Sequence, residues 1–382
     1  MRMIDYHLVI ALLLTSLALP VQAYNVNEQF SINGMIAGTG QCQHVSARLP
    51  SESYDDDGSL ETFDNTCRGA LPLQLGVSFH PGDANEFFVK FGFAAGNGLN
   101  EVSPWVLSPW AADLEDNVKD INGRNRDYLL AAWYRHTFSF ANNSTLGATL
   151  GILDSTDYLD ANEYANDEYT QFMNEAFVNS GSYSLPSYDR GAALEWTSGP
   201  WSVNALGMNI GENDNGNNYN FWGIQTGYHA DTGSGTGNYR IILGGTSSAF
   251  PNPSGTDEES LLGWGLSFDQ EINAVMAAFL RFAWQRAEAA VDYKAHYSAG
   301  LNFNGSGWGR TPDNIGVGYA YFAGGNLDIE NSHVFEAYYR LGFNDLGLTA
   351  DIQYMKDRRT GIDSVQDNPS GWIFGLRADI EF

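Results

Sequence analysis

The chain has 382 residues and a formal net charge of −27, with 46 acidic against 19 basic side chains. This balance disfavours nucleic-acid binding, because recognition of phosphates requires a basic surface. The chain is 14% aromatic and contains 42 glycines, and both values are high for a soluble enzyme. A membrane β-barrel accounts for such a composition, because its outer surface is apolar while its lumen and loops are polar.

The first residues have the pattern of a secretory signal peptide. Arg2 supplies a positive start, residues 8–19 are mostly apolar, and residues 21–23 (VQA) form a small-x-small cleavage site. We therefore expect a signal peptide over residues 1–23 and one transmembrane barrel domain over residues 24–382. No apolar stretch is long enough for a spanning helix, which excludes a helical membrane protein but not a soluble exported one.

Two cysteines, Cys42 and Cys67, follow the signal segment. In an oxidising compartment they are expected to pair. The bridge would close a loop of roughly 25 residues and stabilise the fold by roughly 3 kcal/mol on the chain-entropy model. Two free thiols are the alternative. Two cysteines without partnering histidines do not form a metal site, so no metal and no cofactor is expected.

Sixteen segments show the period-two alternation of β-strands. The clearest are residues 71–79, 87–93, 146–152, 262–268, 276–284, 295–303, 315–321, 335–343, 348–354 and 372–382, and the weaker ones are 30–41, 128–140, 190–197, 201–210, 219–229 and 239–246. Tight turns alternate with connections of about thirty residues early in the chain, as in outer-membrane barrels. The pattern predicts an all-β, sixteen-stranded antiparallel transmembrane barrel with short periplasmic turns, long extracellular loops and an aqueous lumen.

Three long connections carry the candidate constriction. The first includes three aspartates, residues 55–57, and the second includes Trp105 and Trp110 as candidate channel-lining residues. The third, residues 154–189, places Asp154, Asp157, Asp160 and Glu168 among tyrosines, and residues 162–177 have helix-compatible spacing. We expect this third loop to fold into the channel and narrow it. A solvated outer loop that binds divalent cations is the alternative.

The last strand has one apolar and one polar face. Trp372, Phe374 and Leu376 alternate with Gly375 and Arg377, and the chain stops on an aromatic residue. We expect this strand, which ends at Phe382, to engage the barrel-assembly machinery.

If the apolar positions face lipid, the basic side chains of the strands face the lumen. They are Lys90, Arg135, Arg240, Arg281, Lys294, Arg340 and Arg377. This register avoids the ~2–4 kcal/mol cost of a cation at the lipid midplane, and a slip by one residue would expose them all. One interpretation is that these side chains donate hydrogen bonds to polyols or anions that pass through the lumen. The alternative is that they form ion pairs with acidic side chains on neighbouring strands and so stabilise the wall. Arg135, Arg240 and Arg281, on mid-barrel strands, are the preferred sugar contacts.

Several stretches, in order, resemble the carbohydrate-selective porin family typified by OprB. They are residues 133–138 (WYRHTF), 150–154 (LGILD), 174–177 (NEAF), 185–186 (LP), 191–192 (GA), 348–354 (LTADIQY) and 375–382 (GLRADIEF). The resemblance implies a Gram-negative outer-membrane porin, in contact with lipid and lipopolysaccharide, through which sugars diffuse past inward-folded loops and basic side chains. Arg135 is the matching basic position. A monomer is favoured over a trimer. The acidity of this chain departs from the family and favours neutral or cationic solutes over anions.

No catalytic motif competes with this interpretation. The histidines are scattered, and neither a zinc-protease helix motif nor a nucleophile elbow occurs. Three hypotheses remain: a passive sugar channel, a general or cation-preferring channel for other small solutes, and a hydrolase at the barrel rim. The preferred sugar is left open.

Overall fold

A computed structural model describes residues 24–46, 50–54, 60–100, 102–360 and 368–382. The predicted signal peptide, residues 1–23, and the aspartates at 55–57 lie outside the described residues.

Sixteen antiparallel strands form one closed sheet, which confirms the predicted fold. The strands are β1 (Phe30–Val45), β2 (Thr66–Gly82), β3 (Asn85–Ala95), β4 (Leu129–Phe140), β5 (Ser144–Leu153), β6 (Asp189–Ser198), β7 (Trp201–Ile210), β8 (Tyr219–Thr232), β9 (Gly235–Thr246), β10 (Leu262–Glu271), β11 (Met276–Gln285), β12 (Tyr293–Asn304), β13 (Asn314–Gly324), β14 (Ile329–Phe343), β15 (Leu346–Arg359) and β16 (Ser370–Glu381). Each strand pairs with the next along the chain, and β16 pairs with β1 from Met35 opposite Glu381 to Val45 opposite Gly371. This last pairing closes the sixteen strands into a barrel, so that none of them is an edge strand.

Short strand pairs and helical turns decorate the barrel. The strand Tyr24–Asn25 extends the sheet beside β1, while Pro50–Tyr54 pairs with Leu60–Thr62 and Phe250–Pro251 with Glu258–Glu259. The one α-helix of the described ranges, α1, spans Glu175–Val178, and 3-10 turns span Ile121–Gly123, Ala141–Asn143, Ser155–Asp157 and Gly305–Trp308. Within the described residues we find no helix with the length and apolar character needed to cross a membrane.

The helix predicted from the spacing of residues 162–177 is wrong, because only its last turn is helical. The Asp167 carboxylate accepts hydrogen bonds from the backbone N–H groups of Tyr169 at 2.8 Å and Thr170 at 3.1 Å. This is the geometry of a helix N-cap, but shortly afterwards the backbone N–H groups of Met173 and Asn174 donate to the Glu336 carboxylate of the wall instead of to carbonyls one turn earlier. The segment therefore winds through a series of turns.

The two ends of the barrel differ in the length of their connections. At one end residues 83–84, 199–200, 233–234 and 344–345 are tight turns. At the other end two loops are much longer: L2, residues 96–128 with 101 not described, and L3, residues 154–188. This is the alternation that the sequence predicts.

The wall has an apolar outer face and a mixed inner face. On β16, Leu376 and Phe374 are 70% and 49% exposed, whereas Arg377 and Asp379, on the opposite face of the strand, are almost fully buried. Outward aromatic side chains form clusters near both ends, Phe79, Phe87 and Tyr134 at the short turns and Trp264, Trp284 and Tyr297 at the long loops. Two aromatic girdles of this kind flank the lipid-facing band of membrane barrels.

The packed core lies inside the barrel. Trp105 and Leu107 of L2, together with Phe172 and Phe177 of L3, belong to one buried apolar cluster with wall residues such as Phe279. L2 and L3 therefore occupy part of the lumen, which narrows the space that a sixteen-stranded wall encloses.

Cys42 of β1 and Cys67 of β2 are directly opposite each other and are joined by a disulfide bond. The bridge links the two strands that flank the first long connection, next to the segment whose residues 55–57 are not described.

Candidate functional site

A cavity of about 680 Å³ lies between L2, L3 and the inner faces of β2 and β3. Gln74 of β2, Lys90 of β3 and Gln285 of β11 form its wall side. Its loop side combines carboxylates with aromatic and hydroxyl groups, among them Asp113, Asp154, Asp157, Glu168, Tyr169 and Tyr188. The cavity therefore offers hydrogen-bond acceptors, donors and ring faces along the lumen.

Asp113 is the centre of a hydrogen-bond network that joins both loops to the wall. Its carboxylate accepts from the Tyr188 hydroxyl at 2.6 Å and from the Gln74 amide nitrogen at 2.9 Å. The same amide nitrogen donates to the Tyr169 hydroxyl oxygen at 3.1 Å, and that oxygen also accepts from the Asp113 backbone N–H at 3.2 Å. Burial raises the pKa of Asp113 above its ordinary value, and the positive charge of Lys90 opposes that rise.

Lys90 is the cation of this cavity. Its ammonium nitrogen lies 5.8 Å from the centre of the Tyr188 ring, within the range of a cation–π contact. No ion pair that joins two described residues involves Lys90 at 4.0 Å or less. The ammonium group is thus held beside a ring and among carboxylates without a direct carboxylate partner in the described ranges.

Three of the four predicted constriction carboxylates line this cavity. Asp154 caps the turn Ser155–Asp157 by accepting from the backbone N–H of Thr156 at 3.0 Å. The Asp157 side chain is exposed to the cavity, yet the surrounding protein, together with the charge of Asp154, raises its pKa to about 7. Burial and the neighbouring Asp167 raise the pKa of Glu168 to about 8. These three carboxylates of L3 therefore border the space between the loops and the wall.

The fourth predicted carboxylate, Asp160, lies behind the cavity. It is fully buried and accepts from the Arg281 Nε at 3.0 Å. Arg281 also donates to the backbone carbonyls of Phe177 at 3.0 Å and Ala165 at 2.9 Å. Every nitrogen of this guanidinium therefore holds L3 to β11. This placement differs from the open-channel position expected for Arg281, because L3 covers its strand.

Arg377 has a similar position on β16. It is 2% exposed and donates to the backbone carbonyls of Glu168 at 2.8 Å and Gln171 at 3.0 Å. Nearby, the Glu336 carboxylate of β14 accepts from the backbone N–H groups of Met173 at 2.6 Å and Asn174 at 3.0 Å. These contacts fix the middle of L3 against the wall.

Three of the other predicted basic residues form ion pairs along the inner wall. Arg135 pairs with Glu195 at 3.1 Å. Arg240 pairs with Asp269, and Arg340 pairs with Asp379, with both acidic partners almost fully buried. Lys294 falls where the pairing of β12 shifts between Tyr293 and Ala295, and its side chain is exposed. Among the described residues that line the cavity, Lys90 is the basic one.

The two predicted tryptophans are packed within the loops. Trp105 is 6% exposed in the apolar cluster that fills the lumen. Trp110 is fully buried, and its indole N–H donates to the Glu168 carbonyl at 2.9 Å, although its ring borders the cavity. Trp105 thus contributes to loop packing, whereas Trp110 joins L2 to L3 at the cavity.

Sequence reasoning did not select Asp113, Gln74 or Tyr188. Gln74 carries a usable signal, because it is a polar residue between the outward Leu73 and Leu75 and must face the lumen. Asp113 and Tyr188 lie in irregular loop segments, where no periodicity assigns a direction. Across the described part of the chain, no group of three His, Cys, Asp or Glu side chains is arranged to hold a metal ion.

Comparison with known proteins gives consistent results. The family model described as carbohydrate-selective porin, OprB family, matches residues 111–382. An uncharacterized protein of Aquifex aeolicus is 30% identical over 301 residues, which cover 78% of this chain and 84% of that protein.

Solved structures share the fold at low sequence identity. A high-pH structure of Pseudomonas putida OprB matches with a TM-score of 0.69 at 16% identity, covering 93% of this chain and 94% of that chain. The outer-membrane channel DcaP of Acinetobacter baumannii matches with a TM-score of 0.54 at 11% identity, covering 95% of this chain and 100% of that chain.

Proposed function

We propose that this chain, which belongs to the carbohydrate-selective porin (OprB) family, lets small carbohydrates diffuse through its lumen. The family and the closed sixteen-stranded barrel identify an outer-membrane β-barrel channel rather than an enzyme. The finer step, from channel to sugar channel, rests on the cavity between L2 and L3.

The observation that carries the proposal is the mixture of groups around Asp113. A sugar presents hydroxyl groups that both donate and accept, and C–H faces that pack against rings. The Asp113 carboxylate accepts hydrogen bonds, the Gln74 amide donates and accepts, and Tyr169 and Tyr188 add hydroxyls and ring faces. A few convergent polar groups beside aromatic surface are typical of small-molecule sites.

Other parts of the molecule fit an outer-membrane setting. We propose that the two outward aromatic girdles contact outer-membrane lipid and lipopolysaccharide, and that β16, followed by Phe382, engages the barrel-assembly machinery. The backbone of Phe382 exchanges hydrogen bonds with Gly34 at 2.7 and 2.9 Å, which places the terminal residue at the closure of the barrel.

A second candidate is a general diffusion channel that prefers cations. Its support is the charge of the cavity, where the carboxylates of Asp113, Asp154 and Asp157 face one basic side chain, Lys90. A cleft of one sign raises the local concentration of counter-ions. This candidate predicts cation-selective current that sugars do not reduce.

Planar-bilayer conductance of the purified chain separates the two candidates. Under the sugar proposal, glucose reduces the current saturably, and Asp113→Asn weakens that block because it removes the charged acceptor. Asp257→Asn, at an exposed position in the connection between β9 and β10, is the matched control and should leave the block unchanged. A large cation-selective current that is indifferent to glucose would overturn the sugar proposal.

A further inference from the structure

We infer that the cavity selects sugars by charge, and that it passes sugars bearing an amino group faster than neutral sugars and neutral sugars faster than sugar acids. This inference rests on the proposed sugar channel and names its preferred substrate class. It follows from where the fixed charges of the lumen are, and from which of them remain available to a solute.

The five arginines that the sequence places on the lumen face are not available to an anionic solute in the cavity. Arg135, Arg240 and Arg340 each have a carboxylate partner across the inner wall. Arg281 and Arg377 are almost fully buried, and their donors are directed at L3. A sugar acid that reaches the cavity therefore finds no free guanidinium among the described lining residues, although planar guanidinium groups are the strongest carboxylate binders in proteins.

The lining of the cavity is strongly acidic. Its described carboxylates are those of Asp113, Asp154, Asp157, Asp167, Glu168 and Glu175, against the single ammonium group of Lys90. An excess of one charge inside a low-dielectric wall attracts the opposite charge and repels its own. This excess would place sugar acids at a disadvantage even where the shape of the cavity admits them.

Lys90 demonstrates how a primary ammonium group is accommodated here. Its nitrogen lies above the Tyr188 ring, whose hydroxyl donates to Asp113. The ring face and the surrounding carboxylates are the two elements that recognise ammonium ligands elsewhere. The amino group of a sugar would find the same elements on the L3 side of the cavity.

Asp157 is the carboxylate best placed to meet such a group. It is exposed to the cavity, and no described side chain or backbone group donates a hydrogen bond to it. By contrast, Asp113 already accepts from Tyr188 and Gln74. An arriving ammonium group would therefore complete the coordination of Asp157 without displacing an internal contact.

The test uses three probes that differ only at carbon 6: glucose, 6-amino-6-deoxyglucose and glucuronate. Influx into proteoliposomes is measured at about pH 8.5, above the raised pKa values of Asp157 and Glu168, where a primary ammonium group with a pKa like that of lysine is still charged. The membrane potential is held at zero. We expect the amino sugar to enter roughly twofold to fivefold faster than glucose, the ratio typical of one solvated charge pair. Glucuronate should be slower than glucose, and added salt should reduce both differences.

Two variants locate the selectivity. Asp157→Asn should bring the amino-sugar rate towards that of glucose, whereas Asp257→Asn, which removes the same charge outside the cavity, should preserve the ratio. Lys90→Met should increase the preference for the amino sugar, because it removes the competing internal cation. Unchanged electrophoretic mobility of the unheated barrels checks that each variant is folded.

The outcomes separate this inference from the proposed function. If glucose enters but glucuronate enters as fast or faster, or if Asp157→Asn leaves the amino-sugar ratio unchanged, the charge-selection inference fails and the sugar channel stands. If glucose influx does not exceed that of protein-free vesicles, both fail.

Discussion

Two carboxylates of L3, three residues apart, have opposite surroundings. Asp160 is fully buried, accepts from Arg281 at 3.0 Å and from the backbone N–H of Ser180 at 2.7 Å, and lies between the loop and the wall. Asp157 is exposed to the cavity and accepts from no described donor. Asp160 therefore anchors L3 to the wall, whereas the carboxylate of Asp157 is available to solutes in the cavity. What distinguishes them is whether a wall cation reaches the carboxylate.

Substitution of Arg281, the cation that holds Asp160 of L3, should have the largest effect on stability. Arg281→Met leaves the Asp160 carboxylate buried without its partner, and breaking a buried pair from one side costs about 3–5 kcal/mol. We expect a lower free energy of unfolding in urea and a larger, noisier single-channel conductance as L3 leaves the lumen. The double variant Arg281→Met/Asp160→Leu should recover part of the stability, because neither charge then remains. Equal stability of the single variant and the parent would show that the anchor contributes nothing.

A smaller loss is expected at the second anchor. Arg377→Met removes the donors for the carbonyls of Glu168 and Gln171, and a hydrogen bond to a charged group contributes about 1.5–3 kcal/mol. The free energy of unfolding should fall by less than in Arg281→Met, and the conductance should fluctuate more. Fluctuations no greater than those of the parent channel would argue against a role of Arg377 in holding L3.

Protonation of the cavity carboxylates should change ion selectivity. The pKa is raised to about 7 for Asp157 and to about 8 for Glu168, so both are charged above these values and neutral below them. The ratio of cation to anion permeability, measured from reversal potentials, should fall as the pH is lowered from about 9 to about 6. Asp157→Asn should remove the part of the change centred near pH 7. A ratio that is constant over this range, or rises on acidification, would contradict the assignment.

The smallest effect is expected at the wall pair of Arg135 and Glu195. Both side chains retain solvent contact, with exposed fractions of 33% and 22%, and pairs of this kind contribute about 0.2–1 kcal/mol. Arg135→Ala should therefore change stability little. It should also leave the glucose block intact, because Arg135 lies outside the cavity lining. A clear weakening of the block would restore Arg135 as the sugar contact implied by the family resemblance.

The barrel could be predicted from the sequence, because the alternation of apolar and polar side chains along a strand is a local property. On β16, Trp372, Phe374 and Leu376 occupy alternate positions and Arg377 lies on the other face. The apolar side chains are exposed on the outside of the barrel, and Arg377 is buried inside it. The sequence also predicted that L3 folds into the channel, from its length and its mixture of carboxylates and aromatic side chains. The helix predicted for residues 162–177 was wrong, because helical spacing took no account of the wall, where the Glu336 carboxylate accepts from the backbone N–H groups of Met173 and Asn174.

The sequence by itself determined the strand count, the faces and the acidic character of the loops, because these depend on period-two patterning and on composition. Only the tertiary structure decided which charges remain free. Arg281 and Arg377 were predicted alongside Lys90 as members of one lumen face, with Arg281 among the preferred sugar contacts. Contacts between residues more than a hundred positions apart cover the two arginines with L3 and leave Lys90 in the cavity. Charge compensation of this kind is set by loop packing, which no local pattern in the chain encodes.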